Sequence, residues 1–470
     1  MSLVHLILTL EWGILLYFIC LNGCYLTLSI ISLLAIVRHK STRVLDELSH
    51  RFNGYDPPIS ILVPAYNEEA LIATSVNSLL QLNYGEYEVI VINDGSKDGT
   101  LDVLKREFSL TPFPEVYPKV LKTKPIKAVY RSTTHPALKV VDKENGGSKA
   151  DSINAGINCA YHPLFCCMDA DSVLHRDSLR RAVQPFLEDP TTVAAGGSLR
   201  ISNGCTVSGG FIVRSGLPKN ILALFQVNEY LRAFLAGRVG WSTFNSLLII
   251  SGGFGLFHRE TVVEAGGYRN DSLGEDMELV IRLHRYCRKT HQPYRIAFVP
   301  DPMCWTEAPE RLDVLRKQRI RWQRGLSECI AWNKDLLFCK KAGPIGWTAL
   351  PFMAIFEWLS PLVELSGYFF FVIFCALGMV SVKGLLAFLL LSIGFGVLLS
   401  MLSLFLEELA YPIYTKPKHT VILFLAAIAE NMGYRQLNSY WRLIGIVRWA
   451  RKSKEHWGEM KREASWITAG

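Results

Sequence analysis

Phe165-Cys166-Cys167-Met168-Asp169-Ala170-Asp171 is an apolar run that ends in two carboxylates one residue apart. A short continuous apolar run reads as a buried strand. Functional groups of open α/β sheets gather at the carboxyl ends of such strands. Side chains alternate faces along a strand, so Asp169 and Asp171 can point the same way. Two carboxylates on one side suit a hard divalent cation, which can bridge to phosphate oxygens. The same pair also suits a solvated turn at a strand end, so its neighbours must decide between the two.

Upstream, Ile59-Ser60-Ile61-Leu62-Val63-Pro64 reads as another buried strand. Ala65-Tyr66-Asn67-Glu68-Glu69 follows, then a helical pattern to about Leu82. Glu88-Val89-Ile90-Val91-Ile92 is a third strand, ending in Asn93-Asp94-Gly95-Ser96. The pattern predicts a helix over 98–107 and a strand near 126–130. Strand and helix alternating through short connections predict an α/β fold with a parallel, doubly wound sheet. Asp94 has two readings. It is a turn residue capping the next helix, or a carboxylate accepting from a nucleoside at the sheet edge. Asn145-Gly146-Gly147-Ser148-Lys149-Ala150-Asp151 brings two glycines to a helix start. It can offer backbone N–H groups to phosphate, or serve as a flexible loop. It lacks the spacing of a P-loop.

The 470 residues are too many for one core. Half are hydrophobic and a fifth charged, which suits a globular domain attached to membrane helices. The net charge of +8 concentrates near the membrane-like segments, at 38–43, 311–324, 416–418 and 448–454. That fits anionic lipid and a phosphate-bearing substrate. It excludes nucleic acid, which calls for a basic face with base-stacking aromatics. The 11 cysteines have no regular spacing and read as reduced. Residues 12–37 carry no charge and are long enough to span a bilayer. Arg38, Lys40 and Arg43 follow, so the rest is expected in the cytoplasm. A cleaved signal peptide would carry its charges before the run. Residues 41–58 read as a polar connector. Residues 344–361 suit the membrane interface, and 365–382 and 384–406 are of spanning length. Residues 420–429 form a short third candidate, and 434–449 look amphipathic. The basic tail favours a cytoplasmic C-terminus.

The motifs resemble those of the family-2 glycosyltransferases. Pro64-Ala65-Tyr66-Asn67-Glu68, Asn93-Asp94-Gly95-Ser96, Gly147-Ser148-Lys149-Ala150-Asp151 and Asp169-Ala170-Asp171 stand in that family's order. Leu273-Gly274-Glu275-Asp276 looks like its Thr/Gly-Glu-Asp motif. Gln318-Arg319-Ile320-Arg321-Trp322 matches the Gln-x-x-Arg-Trp of membrane-embedded processive members. Those include cellulose, hyaluronan, chitin-oligosaccharide and poly-N-acetylglucosamine synthases. The resemblance covers roughly residues 57–335. It implies a GT-A-type domain inserted between transmembrane helices. The implied division is an N-terminal helix over 1–40, a cytoplasmic transferase domain over 41–335, interfacial and transmembrane helices over 336–450, and a basic tail over 451–470. The implied enzyme is a multi-pass inner-membrane synthase that adds a sugar from a UDP-sugar to a growing β-linked polysaccharide. Accessory export subunits would be its potential partners. Cellulose-type synthases carry a further cyclic-dinucleotide-binding domain, and no such control is expected within this chain.

The resemblance also implies roles. Ala65, Tyr66 and Glu68 would line the base pocket and Asp94 would hold uracil and ribose. Lys149 and Asp151 would sit by the nucleotide. Asp169 would face the nucleotide and Asp171 would hold Mg2+ or Mn2+, with Asp169 nearby. Asp276 would be the general base, with Glu275 contributing; its other reading is the capping of a helix that runs to about Arg288. Gln318, Arg321 and Trp322 share one face of an amphipathic helix over 309–332. Arg321 suits a diphosphate and Trp322 an acceptor sugar. The other reading is an interfacial helix with its arginines toward headgroups. Ser251–Arg259 reads as a glycine-interrupted strand, with Gly253 beside the acceptor and His258 a structural residue or nucleotide contact. Residues 219–240 read as an amphipathic helix. Two rival functions remain: a transferase that loads one sugar onto a lipid, and an inactive membrane scaffold.

Overall fold

The computed structural model describes residues 3–53, 56–376, 378, 386 and 390–453. The chain forms two compact units. One is helical and takes residues up to Arg38, then Asn220–Thr243 and Pro309–Ser453. The other is an α/β unit, running from His39 to Lys219 and from Phe244 to Ala308.

The strands of the α/β unit are β1 (Ile59–Ala65), β2 (Tyr87–Asn93), β3 (Leu110–Pro112), β4 (Ile126–Ser132), β5 (Leu138–Lys143), β6 (Leu164–Met168), β7 (Val173–Leu174), β8 (Thr192–Ile201), β9 (Thr206–Ser208), β10 (Phe211–Arg214), β11 (Phe254–His258) and β12 (Arg295–Thr306). Ten of them build one sheet in the order β3-β4-β5-β2-β1-β6-β11-β8-β12-β7. The apolar runs that mark β1, β2 and β6 in the sequence are the buried centre of this sheet. β1 runs parallel to β2 and β6, and β2 parallel to β5. The expected all-parallel sheet is corrected to a mixed one. β4 is antiparallel to β5, and β11 enters antiparallel between β6 and β8. The unit has a GT-A-like α/β fold.

Some boundaries differ from the sequence expectation. Residues 41–53, expected in a polar connector, continue the helix Leu3–Asn53, because no Pro or Gly interrupts them. The strand expected from Ser251 begins at Phe254; Gly252 and Gly253 lie in the turn before it. β5, β8 and β12 were not expected. The helix Glu275–Lys289 does start at the Glu-Asp motif, and it buries Met277, Val280, Ile281, His284 and Cys287 at helical spacing.

In the helical unit, Ile221–Leu231, a π-helical stretch Arg232–Arg238 and Val239–Thr243 follow one another directly. Leu312–Trp332, Ser360–Ala376, Phe395–Ala410, Pro417–Ala429 and Tyr434–Ala450 are the longer helices that follow. Phe225, Leu315, Ile320, Ala426, Tyr434 and Trp441 form a buried core among them. Arg319 and Arg324 are buried too. Those two therefore do not face headgroups: Arg319 pairs with Glu229, and Arg324 donates to the Ser453 carbonyl at 2.8 Å. Among the described residues two helical runs are long and apolar enough to cross a membrane, Trp12–Lys40 and Pro344–Ile373. The second contains the segment expected at the interface. The expected spans 365–382 and 384–406 lie partly outside the described residues, as does the tail beyond Ser453.

Candidate active site

The carboxyl ends of β1, β2, β5 and β6 lie side by side because the strands are in register. Ala65 pairs with Asn93, and Asn93 with Asp142. This alignment gathers the candidate residues of the α/β unit at one edge. Asp94 directly follows β2 and donates its backbone N–H to the Ala65 carbonyl at 2.9 Å. Ala65 is buried, and Tyr66 and Glu68 are half-buried beside it. Asn67 adopts a left-handed φ of 57°. Its N–H donates to Ser96 Oγ, and its side chain accepts from the Lys97 N–H. This ties the first loop to the turn that carries Asp94.

The glycine loop works differently from the expectation. The Gly146 N–H donates to Asp94 Oδ1 at 3.0 Å, and the Gly147 N–H to Asn145 Oδ1 at 2.9 Å. Both groups are engaged inside the protein, so they are not presented to a phosphate. A side chain at Gly146 would meet Asp151 Oδ2 at 2.4 Å, so the loop closes only with glycine there. Ser148 caps the helix Lys149–Cys159 by accepting from the Asp151 N–H. All eleven residues of that helix are buried.

Asp169 and Asp171 follow β6, as the sequence predicts. Asp171 is buried, while the Asp169 side chain is 33% exposed and bonded to Lys149. Lys149 Nζ donates to an Asp169 oxygen and to the Gly252 carbonyl at 2.7 Å. An ammonium has three N–H donors, and these two acceptors engage two of them. Burial works against the charge of Lys149, yet Asp169, Cys167 and Glu275 outweigh it and its pKa rises.

Gly252 continues the chain of contacts. Its own N–H donates to Asp276 Oδ2 at 3.2 Å, and Asp276 Oδ1 accepts from the Met277 N–H at 2.8 Å. Asp276 sits in the first turn of Glu275–Lys289 with Glu275, where the helix dipole favours negative charge. A side chain at Gly252 would come within 3.4 Å of Lys149 Nζ and 3.8 Å of Glu275 Oε1, filling this corner. One at Gly253 would come within 3.5 Å of Asp169 Oδ2. Asp169, Lys149, Gly252 and Asp276 therefore form one continuous hydrogen-bonded path.

His258 bonds Thr261 Oγ1 at 2.8 Å. Gln318, Arg321 and Trp322 belong to the helical unit, on Leu312–Trp332. Gln318 is buried, Arg321 half-buried and Trp322 43% exposed. The Arg319 guanidinium lies 4.8 Å from the centre of the Trp322 ring and pairs with Glu229. Two groups escaped the sequence expectation: the Gly252 peptide, and Lys143 at the end of β5. A lysine closing a buried strand has to find carboxylates, and that was the signal available.

A family model described as glycosyl transferase family 2 matches residues 60–211, and one described as glycosyl transferase family group 2 matches 164–428, more than half of the chain. The chain belongs to glycosyltransferase family 2. It is a glycosyltransferase. The poly-β-1,6-N-acetyl-D-glucosamine synthase of Staphylococcus epidermidis is 28% identical over 272 residues, which cover 58% of this transferase and 55% of the synthase. The transferase thus spans about half the length of the curated relatives it matches. A mannosyltransferase from Pyrobaculum calidifontis, solved with GDP-Man and Mn2+, superposes with a TM-score of 0.47 at 19% identity, over 91% of this transferase and 100% of that chain. S. aureus TarS in complex with UDP-GlcNAc gives a TM-score of 0.39 at 13% identity, over 81% and 92%.

Proposed function

We propose that this transferase is a membrane-embedded synthase that moves sugar from a UDP-sugar onto a growing β-linked polysaccharide, with its α/β unit in the cytoplasm. The observation that carries the mechanism is the path Asp169–Lys149–Gly252–Asp276. It joins an ammonium suited to a diphosphate, and the carboxylate that holds it, with a second carboxylate suited to take a proton.

Asp94 accepts from the nucleoside, with Ala65, Tyr66 and Glu68 around the base. Lys149 gives its remaining N–H to a diphosphate oxygen. Asp276 takes the proton from the acceptor hydroxyl. The hydroxyl oxygen then bonds to the anomeric carbon as the bond from that carbon to the diphosphate breaks on the opposite side. The configuration inverts and UDP leaves. Asp169 and Asp171 are hard oxygen donors that fit a divalent cation shared with phosphates. Among the described residues no cluster of three or more metal-ligating side chains exists. When bound there, Mg2+ or Mn2+ supplies positive charge to the departing diphosphate. Trp322 offers a flat face to the acceptor sugar, Arg321 a fork to the diphosphate.

The test is UDP release by the purified protein in detergent, with UDP-glucose, UDP-N-acetylglucosamine and UDP-glucuronate offered singly and in pairs, followed by sizing of the product. A long product supports the synthase. A one-sugar product replaces it with a lipid-loading transferase. No release with any donor, metal and lipid extract overturns the UDP-sugar reading.

A further inference from the structure

Lys143 ends a strand that no motif marks, and its side chain is fully buried. Its ammonium reaches Asp94 Oδ1 at 2.5 Å, Asp151 Oδ2 at 2.7 Å and the Glu144 carbonyl at 2.6 Å. All three N–H donors are engaged, so none is left for a ligand. Lys149 differs, since its two acceptors engage two of its three donors.

We propose that Lys143 is a positioning residue for the donor nucleotide, acting through Asp94 without touching the ligand. The inference rests on the donor-site reading above. Three observations carry it. First, Asp94 Oδ1 accepts from both Lys143 and the Gly146 N–H, which anchors that oxygen. Asp94 Oδ2 makes no hydrogen bond among the described residues and is the oxygen left for a nucleoside donor. Second, the same ammonium holds Asp151, which also accepts from the Lys124 N–H and from Asn270 Nδ2. Lys143 therefore ties the turn after β2 to the helix Lys149–Cys159. Third, the turn between them has no slack, because Asp151 occupies the space of a Gly146 side chain.

Without the ammonium, two buried carboxylates would face each other beside a site that has to admit an anionic diphosphate. Partners that orient a ligand-binding group are worth about 10- to 100-fold in affinity where they have been measured at metal sites. Lys143→Met is accordingly expected to weaken UDP binding about tenfold or more and to raise the donor KM in step. The kcat at saturating donor should stay within about threefold, because Asp276 and Lys149 are untouched.

The experiment is calorimetric titration of the purified full chain with UDP, using wild type, Lys143→Met, Asp151→Asn and the double variant. The double variant removes one cation and one carboxylate together, so it keeps the local charge balanced. If Lys143 positions Asp94, the double variant binds UDP about tenfold more weakly than wild type, although the two carry the same local charge. If Lys143 only neutralises charge, the double variant binds UDP as wild type does, and the proposal is overturned. A folded Lys143→Met that binds UDP as wild type does also overturns it. Wild type that binds no UDP overturns the donor-site reading, and the role of Lys143 with it.

Discussion

Asp276→Asn separates catalysis from architecture, because the structure gives the substitution two different magnitudes. The carboxylate accepts from the Gly252 N–H through Oδ2 and from the Met277 N–H through Oδ1. Asparagine retains one acceptor oxygen, so one of these N–H groups loses its partner. An unmet hydrogen bond costs about 1–3 kcal/mol, and loss of charge at a helix N-terminus about 0.3–1 kcal/mol more. The melting temperature should fall by several degrees, at about 2–4 °C per kcal/mol for a domain of this size. Loss of a general base removes about 10²- to 10⁴-fold in rate, or about 3–5 kcal/mol of barrier. The expected pattern is therefore a folded protein with UDP affinity near that of wild type and kcat down at least a hundredfold. Turnover by UDP release, UDP binding by calorimetry and melting by scanning fluorimetry measure the three quantities. Turnover above a tenth of wild type would refute the assignment of Asp276 as base. Joint loss of turnover and UDP binding would show that its part is architectural.

Three further outcomes are expected. Asp171→Asn should lose the activation by Mg2+ or Mn2+ that is expected when chelated wild type is resupplied with metal; an unchanged metal titration removes Asp171 from the cation site. Trp322→Ala should shorten or abolish the polymer while melting as wild type does, since Trp322 is 43% exposed; product of normal length removes it from the acceptor path. Burial and a neighbouring arginine, opposed by a bond to the Leu247 carbonyl, lower the His284 pKa from 6.5 to about 4. The unfolded chain therefore binds the extra proton first. Its contribution to stability is complete above pH 6.5 and is lost as pH falls toward 4, by about 3 kcal/mol. Melting curves of wild type and His284→Gln between pH 7.5 and 4.5 should converge at the acid end, and parallel curves count against it.

What could be read from the sequence was whatever a single segment encodes. Asp94 and Asp169 stand where apolar runs stop, and Asp276 stands where a helical pattern starts, so each announced its own place. Lys143 did not, since its carboxylates lie 49 and 8 residues away and meet it only once β5 pairs with β2. The antiparallel entry of β11 was hidden by the glycines at 252 and 253, which look like part of an extended run. The burial of Arg319 was hidden because Glu229 and Tyr434 come from distant helices. Local pattern marks strand ends and helix starts; long-range pairing decides which charges go inside.

Gly252 carries a lesson for mutational scanning. Its carbonyl holds Lys149 and its N–H holds Asp276, yet it has no side chain to remove. Alanine at this position would abolish neither contact, and its methyl would meet Lys149 and Glu275 only at ordinary van der Waals distance. A scan would score the position as tolerant and miss the coupling. Replacing the amide that ends in the Gly252 nitrogen with an ester would delete the donor to Asp276 and leave every side chain in place. That makes the backbone itself the informative site of substitution in this enzyme.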